Sequence, residues 1–150
     1  MTMRGLEIRG LTLTRPWPFA IAEAGKRIEN RDWAPPRPLI GHYLALHAGK
    51  GWSEVDREWI GNLTGLYVPN RDESPHSVIF AVCMLGGYII YDKDHRFKEE
   101  QRMWFFGPYS WLLEDVVVLK TPVPCRGAQK LWTVPPDVLE QLRAAYREAI

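Results

Sequence analysis

Leu6, Ile8, Leu11 and Leu13 are separated by polar or small residues, and the alternation predicts a half-buried strand near the N-terminus. Arg15-Pro16-Trp17-Pro18 follows, with prolines suited to a first helical turn, and the Ala-rich Phe19–Ala24 predicts a short helix stopped by Gly25. Residues 26–33 read as extended, and the prolines at 35, 36 and 38 exclude regular structure there. A second strand is predicted over 39–47, then a tight glycine-rich connection over 47–51, then a helix capped by Ser53 and running to about Leu63. Residues 64–76 read as a polar loop. The apolar run 77–91, broken at Gly86-Gly87, predicts a long bulged strand. Residues 92–103 form a charged excursion. Strands are predicted over 110–119 and 131–134, with a turn-rich connection over 121–129 between them. A last helix carries Val138, Leu142, Ala145, Tyr146 and Ala149 on one apolar face. Five or six strands with about three helices, mixed rather than alternating, predict a small barrel-like α+β domain.

Of the 150 residues, 46% are hydrophobic and 25% charged, which excludes disorder, a collagen-like repeat and a coiled coil. The longest apolar run is too short and too glycine-interrupted to span a bilayer. With no apolar leader in residues 1–10, the sequence predicts a cytoplasmic protein. Cys83 and Cys125 have no CxxC spacing and no Cys/His cluster, so they read as small buried hydrophobes rather than zinc ligands or a disulfide. A net charge of +1 excludes a protein held on nucleic acid by bulk charge alone. Residues 1–52 nevertheless carry eight Lys/Arg against four acids, net +4, leaving −3 for the remainder. An anionic ligand is therefore expected at the N-terminal third.

The densest chemistry lies in Lys26-x-x-Glu29-x-Arg31. In an extended segment Glu29 and Arg31 share one face and Lys26 lies on the other, unless a twist or bulge at the helix exit brings Lys26 round, which spacing alone does not show. Two readings stand for these residues: a pocket where cations meet a polar base beside a carboxylate, or a surface ion-pair ladder of little energetic weight. Seven tryptophans divide similarly. Trp17 and Trp33 flank the charged motif and are candidates to stack a base. Trp111 and Trp132 read as core, Trp59 as packed inward, and Trp104 with Tyr109 as a pocket rim beside Gly107-Pro108. His47 reads either as a packed strand-end histidine or as a ligand-facing one. Lys50 reads either as a solvated cation or as a phosphate contact between glycines. Asp92, Asp94, Glu99 and Glu100 read as a solvated loop.

Leu13-Thr-Arg-Pro-Trp17, Lys26-Arg-Ile-Glu-Asn-Arg-Asp-Trp33 and His47-Ala-Gly-Lys50, in that order, resemble the ASCH domain (activating signal cointegrator homology) of the PUA-like superfamily. Phe106-Gly-Pro-Tyr-Ser-Trp-Leu-Leu-Glu114, Pro124-Cys-Arg-Gly127 and Leu131-Trp132 fit the same family. The resemblance spans about residues 11–134 of a single domain over 1–150, with the last helix at 136–149. It implies a PUA-like small mixed β-barrel whose cleft takes RNA, single-stranded nucleic acid or a modified nucleotide. Arg15, Trp17, Lys26, Glu29, Arg31, Trp33, His47, Lys50 and Tyr109 are the implied binding residues. Some ASCH proteins are amidohydrolases acting on N4-acetylcytidine through a Lys, a Thr and a Glu, and another is a ribonuclease. Lys26 matches that Lys, while Glu29 stands where the Thr would be. Lys26, Glu29 and Lys50 are the catalytic candidates for a hydrolase. No cofactor is implied, a divalent metal entering only with a nuclease. A protein-interaction adaptor using the last helix or exposed aromatics is the further alternative.

Overall fold

The alternation that begins the chain is borne out in the computed structural model, which describes residues 8–91 and 99–150 and so leaves Leu6, Asp92 and Asp94 outside the described residues. The strands are β1 (Ile8–Arg15), β2 (Ile28–Arg31), β3 (Tyr43–Trp52), β4 (Val78–Ile90), β5 (Tyr109–Pro124) and β6 (Leu131–Thr133). The helices are α1 (Trp17–Glu23), α2 (Glu54–Thr64) and α3 (Pro136–Ala149). One mixed sheet runs in the order β2-β5-β4-β3-β1-β6, with β1 parallel to β3 and every other pair antiparallel. Three register shifts between β4 and β5, one of them between Leu85 and Gly87, bend the sheet into a half-barrel.

The two faces follow the period-2 pattern. Leu11 and Leu13 of β1 join Leu44 and Leu46 of β3 and Trp111 and Leu113 of β5 on the concave side. Ile8, Tyr43, Ala45 and Trp132 face the other way and meet Val138, Leu142, Ala145 and Tyr146, the predicted apolar face of α3. A third cluster, around Ile28, Ile60 and Trp104, packs α1 and α2 against the end of the half-barrel. Ser53 caps α2 as expected, its hydroxyl accepting from the Asp56 amide at 3.1 Å, and Gly65 ends it at φ +73°.

Three boundaries differ from the sequence pattern. The second strand begins at Tyr43 rather than Leu39, because Arg37–Leu39 make a 3₁₀ turn among the prolines. Residues 47–51 are not a tight connection but the second half of β3. Their glycines signal close approach rather than a turn: a Cβ on Gly49 would stand 2.7 Å from Thr12 Cγ2 of β1. Residues 121–124 continue β5 instead of belonging to the turn-rich connection. Within the charged excursion, Glu99–Trp104 form a 3₁₀ helix.

Candidate functional site

Gly25, at φ +75°, turns the chain out of α1, and the Lys26 amide bonds back to the Ala20 carbonyl at 3.1 Å. This turn replaces the fully extended reading, in which Lys26 and Glu29 point apart, with a twist at the helix exit. The strand starts only at Ile28, so Lys26 is free of the alternation and comes round to Glu29. Its ammonium lies 3.6 Å from Glu29 Oε1, donates to the Ile28 carbonyl, and stands 5.2 Å from the centre of the Trp17 ring. Glu29 Oε2 accepts from Arg31 Nε at 3.0 Å. Lys26 is 1% exposed and Glu29 8%, while a fifth of the Arg31 side chain stays open. One carboxylate thus sits between two cations. Burial pulls the Lys26 pKa down, Glu29 works against that pull, and Arg31 adds to it.

Arg31 also donates from Nη2 to the Thr12 carbonyl at 2.9 Å. In the ladder Arg31 lies opposite Tyr109, on the concave face, so its guanidinium crosses the open side of the half-barrel to β1. The sheet closes here through a side chain rather than a strand pair.

Aromatic residues form the wall beside Lys26. Trp17 donates to Asp56 of α2 at 3.0 Å, and its ring centre lies 6.1 Å from both Trp59 and Phe106. Trp59 and Phe106 are 5.0 Å apart and are 37% and 44% exposed. Trp59 is thus more open than expected, and Trp104, expected on the rim, is fully buried beneath Trp17 and Trp59. Asn30 explains the burial of Trp104. Its Nδ2 donates to the Trp104 carbonyl, and its Oδ1 accepts from the amides of Phe106 and Gly107 and the Ser110 hydroxyl, all within 3.1 Å. These bonds draw the segment onto β2 and push Trp104 inward. Trp33 packs edge-on against Trp111 at 4.8 Å and accepts its indole N–H through the backbone. Tyr109 is half-buried, with Tyr88 6.0 Å away.

The remaining sequence candidates lie elsewhere. His47 and Thr12 pair across β1 and β3 and point to the convex face. The Cys125 carbonyl only accepts, so His47 Nε2 carries the proton in their 2.7 Å bond. Nδ1 of the neutral ring then accepts from the Thr12 hydroxyl at 3.2 Å, and that oxygen accepts from Trp132 Nε1 at 3.1 Å. Burial, outweighing the bond to Cys125, lowers the His47 pKa and keeps this order of donors. Beside it runs a groove of about 690 Å³ lined by Gly49, the exposed Lys50, Arg126 and Gly127 among others. Arg15 is 3% exposed and engaged with backbone: it donates to the carbonyls of Arg71, Ser74 and Lys50 at 3.0, 2.7 and 2.9 Å, pinning the 65–77 loop to β3.

The nine sequence candidates therefore divide. Trp17, Lys26, Glu29 and Arg31 are linked by contact at the open side of the half-barrel, its concave mouth, where Tyr109 lies opposite Arg31 in the ladder and Trp33 packs on Trp111. His47 and Lys50 belong to the convex groove, and Arg15 braces a loop. Asn30, Thr12 and Arg126 enter the geometry without having been singled out. Asn30 lay in view inside the Lys26–Arg31 motif, whereas nothing local marks Thr12. Among the described residues, no helix is long and apolar enough to cross a membrane, and no three His, Cys, Asp or Glu side chains gather as metal ligands.

Neither a protein-family model nor a curated protein matches this sequence. Six solved chains do match it in structure, among them the crystal structure of a serine-to-alanine mutant of ZmASCH from Zymomonas mobilis. That chain aligns over 96% of this one and 98% of its own length, with a TM-score of 0.53 and 15% sequence identity. The fold is ASCH-like, as the motifs implied.

Proposed function

We propose that the concave mouth binds a nucleotide of RNA or other single-stranded nucleic acid, a modified base included. The carrying observation is the carboxylate of Glu29 held between Lys26 and Arg31, with the Lys26 ammonium against the Trp17 ring and Trp17 in turn beside the half-open rings of Trp59 and Phe106. A base presents a flat π-face and an edge of mixed donors and acceptors. Aromatic rings stack the first at about 1–3 kcal/mol per base, and a fixed carboxylate flanked by N–H donors reads the second. The ASCH-like fold supports the reading. Titration of single-stranded RNA, followed by tryptophan fluorescence, tests it: Trp59→Ala is expected to weaken binding about tenfold or more. Unchanged affinity in that variant would overturn it.

A hydrolytic reading is favoured by one further observation, the Lys26 ammonium standing 3.6 Å from the Glu29 carboxylate. A carboxylate takes the proton of an attacking hydroxyl or water, and a cation beside it steadies the charge that develops on a phosphodiester or an acylated amine. Mass spectrometry of N4-acetylcytidine and a short RNA, incubated with wild type and with Lys26→Ala, decides it. Release of cytidine or RNA fragments by wild type alone supports an enzyme with Lys26 in its site. Unchanged substrates with both proteins remove these two reactions and leave a binding protein.

A further inference from the structure

The convex groove lies on the other side of β1 from the concave mouth, and the base-reading residues do not use it. Its lining contains no Asp or Glu. It holds two exposed cations, Lys50 at the end of β3 and Arg126 on the loop before β6, and among the described residues neither has an acidic partner. Its floor is closely packed: a Cβ on Gly127 would come within 2.5 Å of Thr12 Oγ1 and 2.6 Å of His47 Cε1, so glycine lets the loop before β6 lie directly on these two side chains. Both nitrogens of His47 are committed to Thr12 and Cys125, so the ring builds the floor while Lys50 and Arg126 supply the charge. At about 690 Å³ the groove exceeds a single anion and suits a short stretch of polymer. Two cations without acidic partners, over a floor that carries no carboxylate, match a chain carrying one negative charge per unit.

We propose that this groove is a second subsite, where Lys50 and Arg126 hold phosphates of the same single-stranded nucleic acid whose base enters the concave mouth. It rests on the nucleic-acid reading above, and the Arg31–Thr12 contact is the seam around which such a strand passes from one side to the other.

The test is the salt dependence of binding to a labelled oligouridylate. Replacing both cations, Lys50→Ala with Arg126→Ala, is expected to reduce the slope of log Kd against log salt by about 1 for each cation removed. Lys120→Ala with Arg143→Ala, equal in charge and outside the groove, is expected to leave the slope unchanged. An unchanged slope in the groove variant, with RNA still bound, overturns the subsite and leaves the base-reading proposal standing. If wild type binds no RNA, the base-reading proposal falls, and inorganic pyrophosphate becomes the probe, followed by the amide NMR signals of Gly49, Lys50, Arg126 and Gly127. Shifts there, abolished in the double variant, keep a phosphate site; their absence overturns it.

Discussion

Arg31 donates to the carbonyl of Thr12 at 2.9 Å although their strands stand four places apart in the sheet. The same guanidinium holds Glu29, so one side chain both closes the half-barrel and fixes the carboxylate of the site. Arg31→Ala is expected to destabilise the fold by about 2–4 kcal/mol, since it leaves a largely buried carboxylate with Lys26 alone. Arg31→Lys recovers little, because a single ammonium does not reproduce a fork that reaches two acceptors in different directions. Urea denaturation of both variants measures this, and a Lys variant as stable as wild type would mean that charge suffices without the fork.

At position 26 the expected outcome depends on shape. Lys26→Ala removes a buried cation and leaves a cavity, at a cost of about 3–5 kcal/mol. Lys26→Met keeps the volume, leaves Glu29 its bond to Arg31, and is expected to cost less than half as much. Both are expected to lose nucleotide affinity alike. Thermal melts and RNA titrations on the pair separate the lysine's contribution to folding from its contribution to binding.

Gly127 and Gly51 make a matched pair. An added methyl at Gly127 collides with Thr12 and His47 at 2.5–2.6 Å, whereas at Gly51 the nearest atom is 3.6 Å away. Gly127→Ala is expected to cost about 1–3 kcal/mol and to shift the His47 ring resonances. Gly51→Ala is expected to stay within about 0.5 kcal/mol of wild type.

Acid should unlock His47. Its pKa in the fold lies below the ordinary 6.5, so the unfolded chain takes up a proton that the folded chain refuses. The contribution is fully present above pH 6.5 and is lost as pH falls below it toward the folded value. The urea midpoint of wild type is therefore expected to drop between pH 7 and 5, and that of His47→Gln, lower at pH 7, to change less over the same interval. Parallel curves would place the titration elsewhere.

Asn30 offers a local readout. Asn30→Ala frees the amides of Phe106 and Gly107 together with the Ser110 hydroxyl. Hydrogen exchange at those two amides is expected to accelerate by tenfold or more, consistent with the loss of about 1–2 kcal/mol of local protection, while β3 amides stay unchanged.

Much of the architecture was legible because it follows from periodicity: β1, the long bulged β4, the capped α2 and the apolar face of α3 all stand where alternation or helical spacing put them. What the pattern misread was glycine. In residues 47–51 it looked like a turn, yet Gly49 is there because β1 passes too close for a side chain, a fact about a neighbour 37 positions back. The Lys26–Glu29 pairing escaped for a related reason, since alternation holds only within a strand and a left-handed residue at Gly25 resets it. Trp104 was misplaced because the segment that carries it is held by the bonds of Asn30, more than 70 residues away along the chain, and Trp59 because its outer side meets Phe106, itself exposed.

Those bonds also order events in time. Asn30 joins partners 74 to 80 positions away, as far as β2 lies from its partner β5, whereas β1 and β3 pair at a separation of 35 from Ile8 to Tyr43. Loops of that length close at greater entropic cost and after the nearer contacts. The aromatic wall of the mouth is thus expected to form together with the β2–β5 edge of the sheet, after β1 and β3 have paired, and to share the stability of that edge.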